Sequence, residues 1–195
     1  MRAAECEDIW DAVVPGTVAA TLLEHGVMPD PFWRDNEKKI QELLDRDYIF
    51  ERSFTAGEDL LKQEQIVLHC NGLDTLAEIR LNGAVVGNAD NMHRIWFFDV
   101  KPFLRPGENE ISIYFRAPAP YLKEHPSGIG KPYTVLRKAA CMFGWDWGLS
   151  LPDSGIWRDI MIEGYEKGTI ETVIVHQEHM NGKVIVKAQP VCRGA

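Results

Sequence analysis

Basic residues are scarce in this 195-residue chain: 21 Lys and Arg stand against 29 Asp and Glu, giving a formal net charge of −8. The adjacent basic pairs, Lys38-Lys39 and Arg137-Lys138, are too small for a footprint on a polyanion, so nucleic acid is excluded as a partner. Both pairs are expected on a solvated face. Cysteine is thin as well. Cys6, Cys70, Cys141 and Cys192 lie far apart with no Cys-x-x-Cys spacing, which argues against a disulfide framework or a zinc site and for reduced, mostly buried thiols. No stretch is long and apolar enough to span a membrane, and the N-terminus has no apolar h-region. No membrane partner is expected, and a cytoplasmic location is. Gly128-x-Gly130 is too short for a dinucleotide fingerprint and lacks a following helix, so no cofactor is expected. His176 and His179 sit three apart in a strand-like segment, which sends them to opposite faces, and no metal site is expected from them.

What the chain does have is a succession of short strand patterns. Ile66 to Cys70 is an apolar run closed by Asn71-Gly72. Leu76 to Leu81 alternates, with Ala77, Ile79 and Leu81 against Glu78 and Arg80; Asn82-Gly83 then predicts a type I′ hairpin returning through Ala84 to Val86. Ile111, Ile113 and Phe115 alternate again, as do Ile160 and Ile162. Such spacing predicts an antiparallel sandwich. Two segments read as helices: Thr17 to His25, stopping at Gly26, and Asn36 to Arg46, opening on a capping type. Val100 to Leu104 reads as a short turn, and Pro118 to Pro132 as a long excursion from the sheet. Thr169 to Gln177 and Lys183 to Gln189 flank Asn181-Gly182 as one more hairpin. A lone hairpin is marginal in water, so these strands either join the sandwich or begin a second β domain, the preferred reading.

The aromatic distribution is uneven. Trp145, Trp147 and Trp157 are half of the six tryptophans, and Asp146 sits between two of them in Gly144-Trp145-Asp146-Trp147-Gly148. An indole beside a carboxylate suits a sugar: the ring covers a C–H face while the carboxylate accepts from hydroxyls. A core tryptophan pair with an aspartate capping a turn is the alternative. Nothing selects a catalytic pair of acids. Glu37, Asp47 and Glu51 are expected as solvated charges, and Ser150 and Ser154 have no partner base. Alone, the chain is expected to hydrolyse nothing. Trp157 and Arg158 are expected to brace the strand after the loop, with Arg158 in reach of Asp159 or Asp153.

Several stretches together resemble the β-mannosidases of glycoside hydrolase family 2: Val14-Pro15-Gly16-Thr17-Val18, Met28-Pro29-Asp30-Pro31-Phe32-Trp33-Arg34-Asp35-Asn36-Glu37, Asn71-Gly72-Leu73-Asp74-Thr75 and Asn91-Met92-His93-Arg94. Phe98-Asp99-Val100, Pro106-Gly107-Glu108-Asn109, Phe143 to Trp147, and Ser154-Gly155-Ile156-Trp157-Arg158-Asp159 complete the likeness, which runs from Trp10 to Gly164. The resemblance implies an all-β, antiparallel, galactose-binding-like jelly roll with short helices over residues 1–166. Residues 167–195 would be a linker and the first strands of a truncated immunoglobulin-like domain. It further implies a non-catalytic N-terminal domain of a retaining exo-β-mannosidase whose acids lie in a (β/α)8 barrel. That barrel is the expected intramolecular partner and a β-mannoside the expected substrate. The implied substrate-binding residues are Asp146, Trp145 and Trp147 in the −1 subsite, with Asn36 on a second loop at the same mouth. A free-standing carbohydrate-binding module and a purely structural sandwich are the alternatives. Only a short stretch, Met1 to Asp8, comes before Ile9-Trp10, so an edge strand is expected to be missing or replaced.

Overall fold

The structure, a computed structural model, describes residues 1–126, 128, 134–145 and 148–193, with Trp145 described in its backbone only. Strands β1 (Arg2–Ala3) and β2 (Gly16–Thr17) precede helices α1 (Val18–Glu24) and α2 (Asn36–Leu44). Then come β3 (Tyr48–Ala56), α3 (Glu58–Leu61), β4 (Gln65–Cys70), β5 (Leu73–Asp74), β6 (Ala77–Leu81), β7 (Ala84–Ala89) and β8 (Trp96–Asp99). After β9 (Gly107–Phe115) and α4 (Pro118–Glu124), the chain runs through β10 (Phe143–Trp145), β11 (Gly148–Ser150), β12 (Gly155–Ile156) and β13 (Ile160–Tyr165). It closes with β14 (Thr169–Met180) and β15 (Lys183–Arg193).

The result is an antiparallel sandwich. One sheet has the order β1-β3-β9-β6-β7; β13-β4-β8 and β2-β12-β5 form two smaller sheets. The alternation legible in the sequence becomes a row of cross-strand partners. Ala77 faces Phe115, Ile79 faces Ile113 and Leu81 faces Ile111, so both strands present their apolar side chains on one face. That face meets Ile66, Leu68 and Cys70 of β4 in a single core, closed by Leu22 of α1 and Ile40 of α2. At the tip of β6 and β7, Asn82 and Gly83 have φ of 51° and 82°, the positive values a type I′ turn requires. The Asn82 side chain also donates to the Phe103 carbonyl and the Asn109 side chain, both at 2.8 Å, tying this turn to the next.

Helix α1 follows its sequence signals: the Thr17 hydroxyl caps the Ala20 N–H, and Gly26 takes the left-handed conformation. Four expectations are corrected. Asp35, not Asn36, precedes the first residue of α2, and the helix ends at Leu44. The excursion after Pro118 begins as helix α4, because proline in a first helical turn has no N–H to lose there. Cys70 is buried and Cys6 half-buried, but Cys141 and Cys192 are exposed; all four are free. Lys138, expected in solvent, is fully buried. At the edge of the five-stranded sheet the two residues of β1 pair with Tyr48 and Ile49, and the Met1 amino group donates to the Trp10 carbonyl at 2.7 Å.

β14 and β15 run longer than predicted and, among the described residues, pair only with each other. Val173, Val175, Val184 and Val186 share one face and are each about half exposed. His176 and His179 lie on opposite faces, both exposed. Among the described residues, no helix is long and apolar enough to cross a membrane.

Candidate functional site: the β10–β11 hairpin

Asp146 and Trp147 lie outside the described residues, as does the Trp145 side chain, so the structure gives the frame that presents them. Strands β10 and β11 pair Phe143 with Ser150 and Trp145 with Gly148. Two three-residue strands carry too few bonds to hold themselves, and neighbouring side chains supply the rest. From α2, the Glu37 carboxylate accepts the Ser150 N–H at 2.8 Å, and the Gln41 amide donates to the Ser150 carbonyl. Glu37 and Gln41 are four apart and so share a helix face. The strand below continues with the Leu151 N–H bonded to the Met142 carbonyl at 2.9 Å.

The base of the hairpin is closed by a buried polar cluster. The Lys138 ammonium donates to Asp74 Oδ2 at 2.6 Å and to the backbone carbonyl of Asp153, joining the two ends of the segment to β5. Asp74 also accepts from the Thr75 hydroxyl. The Asp153 carboxylate turns the other way, accepting the Ala19 N–H at 2.9 Å and the Ser154 N–H at 2.8 Å, and so serves the first turn of α1. Burial pushes the Lys138 ammonium below its ordinary value, opposed by the Asp74 charge beside it. Burial likewise raises the Asp153 carboxyl, opposed by its hydrogen bonds from Thr17, Ala19 and Ser154.

Asn36 is buried in the first turn of α2, and its amide donates to the Asp30 carbonyl at 2.9 Å. The same helix reaches the hairpin, but through Glu37 and Gln41. Expected as a solvated charge, Glu37 instead holds backbone, and so does Asp47, which accepts the Ala117 N–H at 2.7 Å and the Tyr114 hydroxyl. Glu51 stays at the surface beside Arg2. Just before α2, Phe32 and Trp33 are 82% and 60% exposed, with Arg34 over the Trp33 ring. Trp157 packs so closely on Gly72 that a Cβ there would lie 2.6 Å from the indole nitrogen. Arg158 stacks on that indole at 4.1 Å; Asp153, one of its two expected partners, is turned to α1 instead. Lys138, Asp74, Asp153, Glu37 and Gln41 are not marked as site residues by the sequence, because each acquires its role from a partner far along the chain.

The residue pattern of the family described as glycosyl hydrolase 2 galactose-binding domain-like matches residues 1–158. The chain belongs to that family, on its β-mannosidase branch, as an N-terminal domain. It is 32% identical over 170 residues to a β-mannosidase of Mus musculus, covering 79% of this chain and 19% of that protein. It is 31% identical over 165 residues to β-mannosidase B of Thermothelomyces thermophilus, covering 78% and 19% respectively. The crystal structure of a β-D-mannosidase from Dictyoglomus thermophilum matches with a TM-score of 0.91 and 35% identity, covering 97% of this chain and 24% of that one. An exo-chitosanase of Amycolatopsis orientalis, at 16% identity and a TM-score of 0.66, covers 95% of this chain and 24% of that one and shares the fold alone. The chain thus spans 19% to 24% of the length of these relatives. The galactose-binding-like sandwich expected from the sequence is the fold observed.

Proposed function

We propose that this chain is the non-catalytic N-terminal domain of a retaining exo-β-mannosidase, scaffolding a catalytic (β/α)8 barrel and lending it the tip of the β10–β11 hairpin. At that tip Asp146 accepts hydrogen bonds from sugar hydroxyls in the −1 subsite, and Trp145 or Trp147 forms an apolar wall. The two acids that cleave the bond belong to the barrel, about 5–5.5 Å apart as retention requires. The observation that carries the reading is the anchoring of so short a hairpin, gripped by α2 above and by a buried ammonium at its base. Contacts remote from the reacting carbon then lower the barrier by being made best in the transition state. Asn36 belongs to the same mouth through the loop before α2, where Phe32 and Trp33 are exposed. The domain proper covers residues 1–166, and residues 167–195 open an immunoglobulin-like neighbour, in keeping with the uncovered valine face of β14 and β15. Four free thiols suit a reducing, cytoplasmic setting.

The test is the turnover of an aryl β-mannoside by the intact polypeptide. Asp146→Ala lowers kcat/KM by roughly 10²-fold or more with the fold unchanged, as for other preorganised contacts; near-normal kinetics defeats the reading. The exposed Trp33 favours a second reading, a free-standing carbohydrate-binding module. Titration of the 195-residue chain with mannose separates the two: millimolar or tighter binding supports the module, and no binding supports a site that the barrel completes.

A further inference from the structure

The base of the β10–β11 hairpin is held by a charge that stability alone does not call for. A buried ion pair replaced by apolar groups is commonly neutral for stability, whereas removing one partner is strongly destabilising. Lys138 and Asp74 are 0% and 2% exposed in their side chains, 2.6 Å apart. The ammonium does more than pair: its second bond, to the Asp153 carbonyl, spans the segment from residue 138 to residue 153 and closes it as a loop. The same Asp153 fixes the start of α1 through its carboxylate. The cation thus ties both ends of the segment that carries the hairpin to β5, and Asp153 ties one of those ends to α1.

We propose that Lys138 is a positioning residue: with Asp74 behind it, it sets the place and orientation of the hairpin tip that the preceding reading assigns to the −1 subsite. The proposal rests on that reading for its link to substrate. The direction of bonding supports it, since an ammonium supplies three donors from a single point and can hold a carboxylate and a carbonyl from different elements at once. Its depressed pKa is the cost of burial that this arrangement accepts.

The test uses Lys138→Met, Asp74→Asn and the double variant, which removes both charges of the pair at once. Either single variant lowers the thermal midpoint; the double variant regains it. Hydrogen exchange of the 195-residue chain then reads the hairpin. In the double variant, amides between residues 138 and 153 exchange at least about tenfold faster while those of β3 and β9 keep their protection. Unchanged exchange at the hairpin, or a uniform rise everywhere, overturns the proposal. In the mannosidase holoenzyme the double variant loses roughly 10²-fold in kcat/KM, carried mainly by kcat, as misplacement of a transition-state contact does. Wild-type kcat in the double variant beside a crippled Asp146→Ala enzyme overturns the positioning role alone. A silent Asp146→Ala overturns the substrate role on which it rests.

Discussion

Two hairpins in this molecule solve the same problem in opposite ways. The hairpin of β10 and β11 has three-residue strands, yet Glu37 and Gln41 grip its backbone at Ser150 and Lys138 closes its base at the Asp153 carbonyl. That of β14 and β15 has strands of twelve and eleven residues in almost continuous register, and among the described residues it pairs with no other strand. Its valine face is half exposed, while the side chains at the base of the short hairpin are fully buried. Strand length therefore does not decide which hairpin is tied to the rest of the fold. Side-chain anchoring does, and it is expensive enough in buried polar groups to mark where position matters.

The largest effect that sharpens this comparison comes from Asp74→Leu, which strands the Lys138 ammonium in the core. A loss of about 3–5 kcal/mol in urea unfolding is expected; a change below 1 kcal/mol would mean the ammonium finds solvent. Next, Glu37→Ala leaves the Ser150 N–H without its acceptor. It should cost about 1–2 kcal/mol and raise exchange at Ser150 ahead of the rest of the domain. Thiol labelling of the native chain should be fast at Cys141 and Cys192 and negligible at Cys70. Burial pushes the Cys70 thiol up to about 12, so it carries almost no thiolate near neutral pH. Early modification of Cys70 would contradict the packing of β4. The smallest effect belongs to the long hairpin: Val186→Thr should change the stability of the 195-residue chain by no more than about 0.5 kcal/mol, because the residue is 59% exposed. A loss several times larger would reveal a covered face.

Much of the fold was readable in the sequence where the signal was local. Asn82-Gly83, the alternation of Ala77, Ile79 and Leu81, and the Thr17 and Gly26 boundaries of α1 each depend on residues a few positions apart. Strand β3 is hidden in the sequence because Glu51, Arg52 and Ser53 interrupt its alternation. β8, four residues long, is too short to show a period. The candidate site was readable only at its tip. Trp145, Asp146 and Trp147 stand out as a composition, but the frame that holds them does not. Lys138 sits beside Arg137 and reads as a solvated pair, and its partner Asp74 lies 64 residues earlier. Glu37 reads as a helix surface charge until Ser150, 113 residues on, is placed against it. Such roles come from tertiary pairing, to which no local period points.

A structure of the intact polypeptide with a β-mannoside analogue in its −1 subsite tests the central claim most directly. An Asp146 carboxylate oxygen about 2.5–3.0 Å from a sugar hydroxyl is expected, with the Lys138–Asp74 pair intact at the hairpin base. An Asp146 carboxylate turned into its own domain, beyond about 3.5 Å of any sugar oxygen, would contradict it.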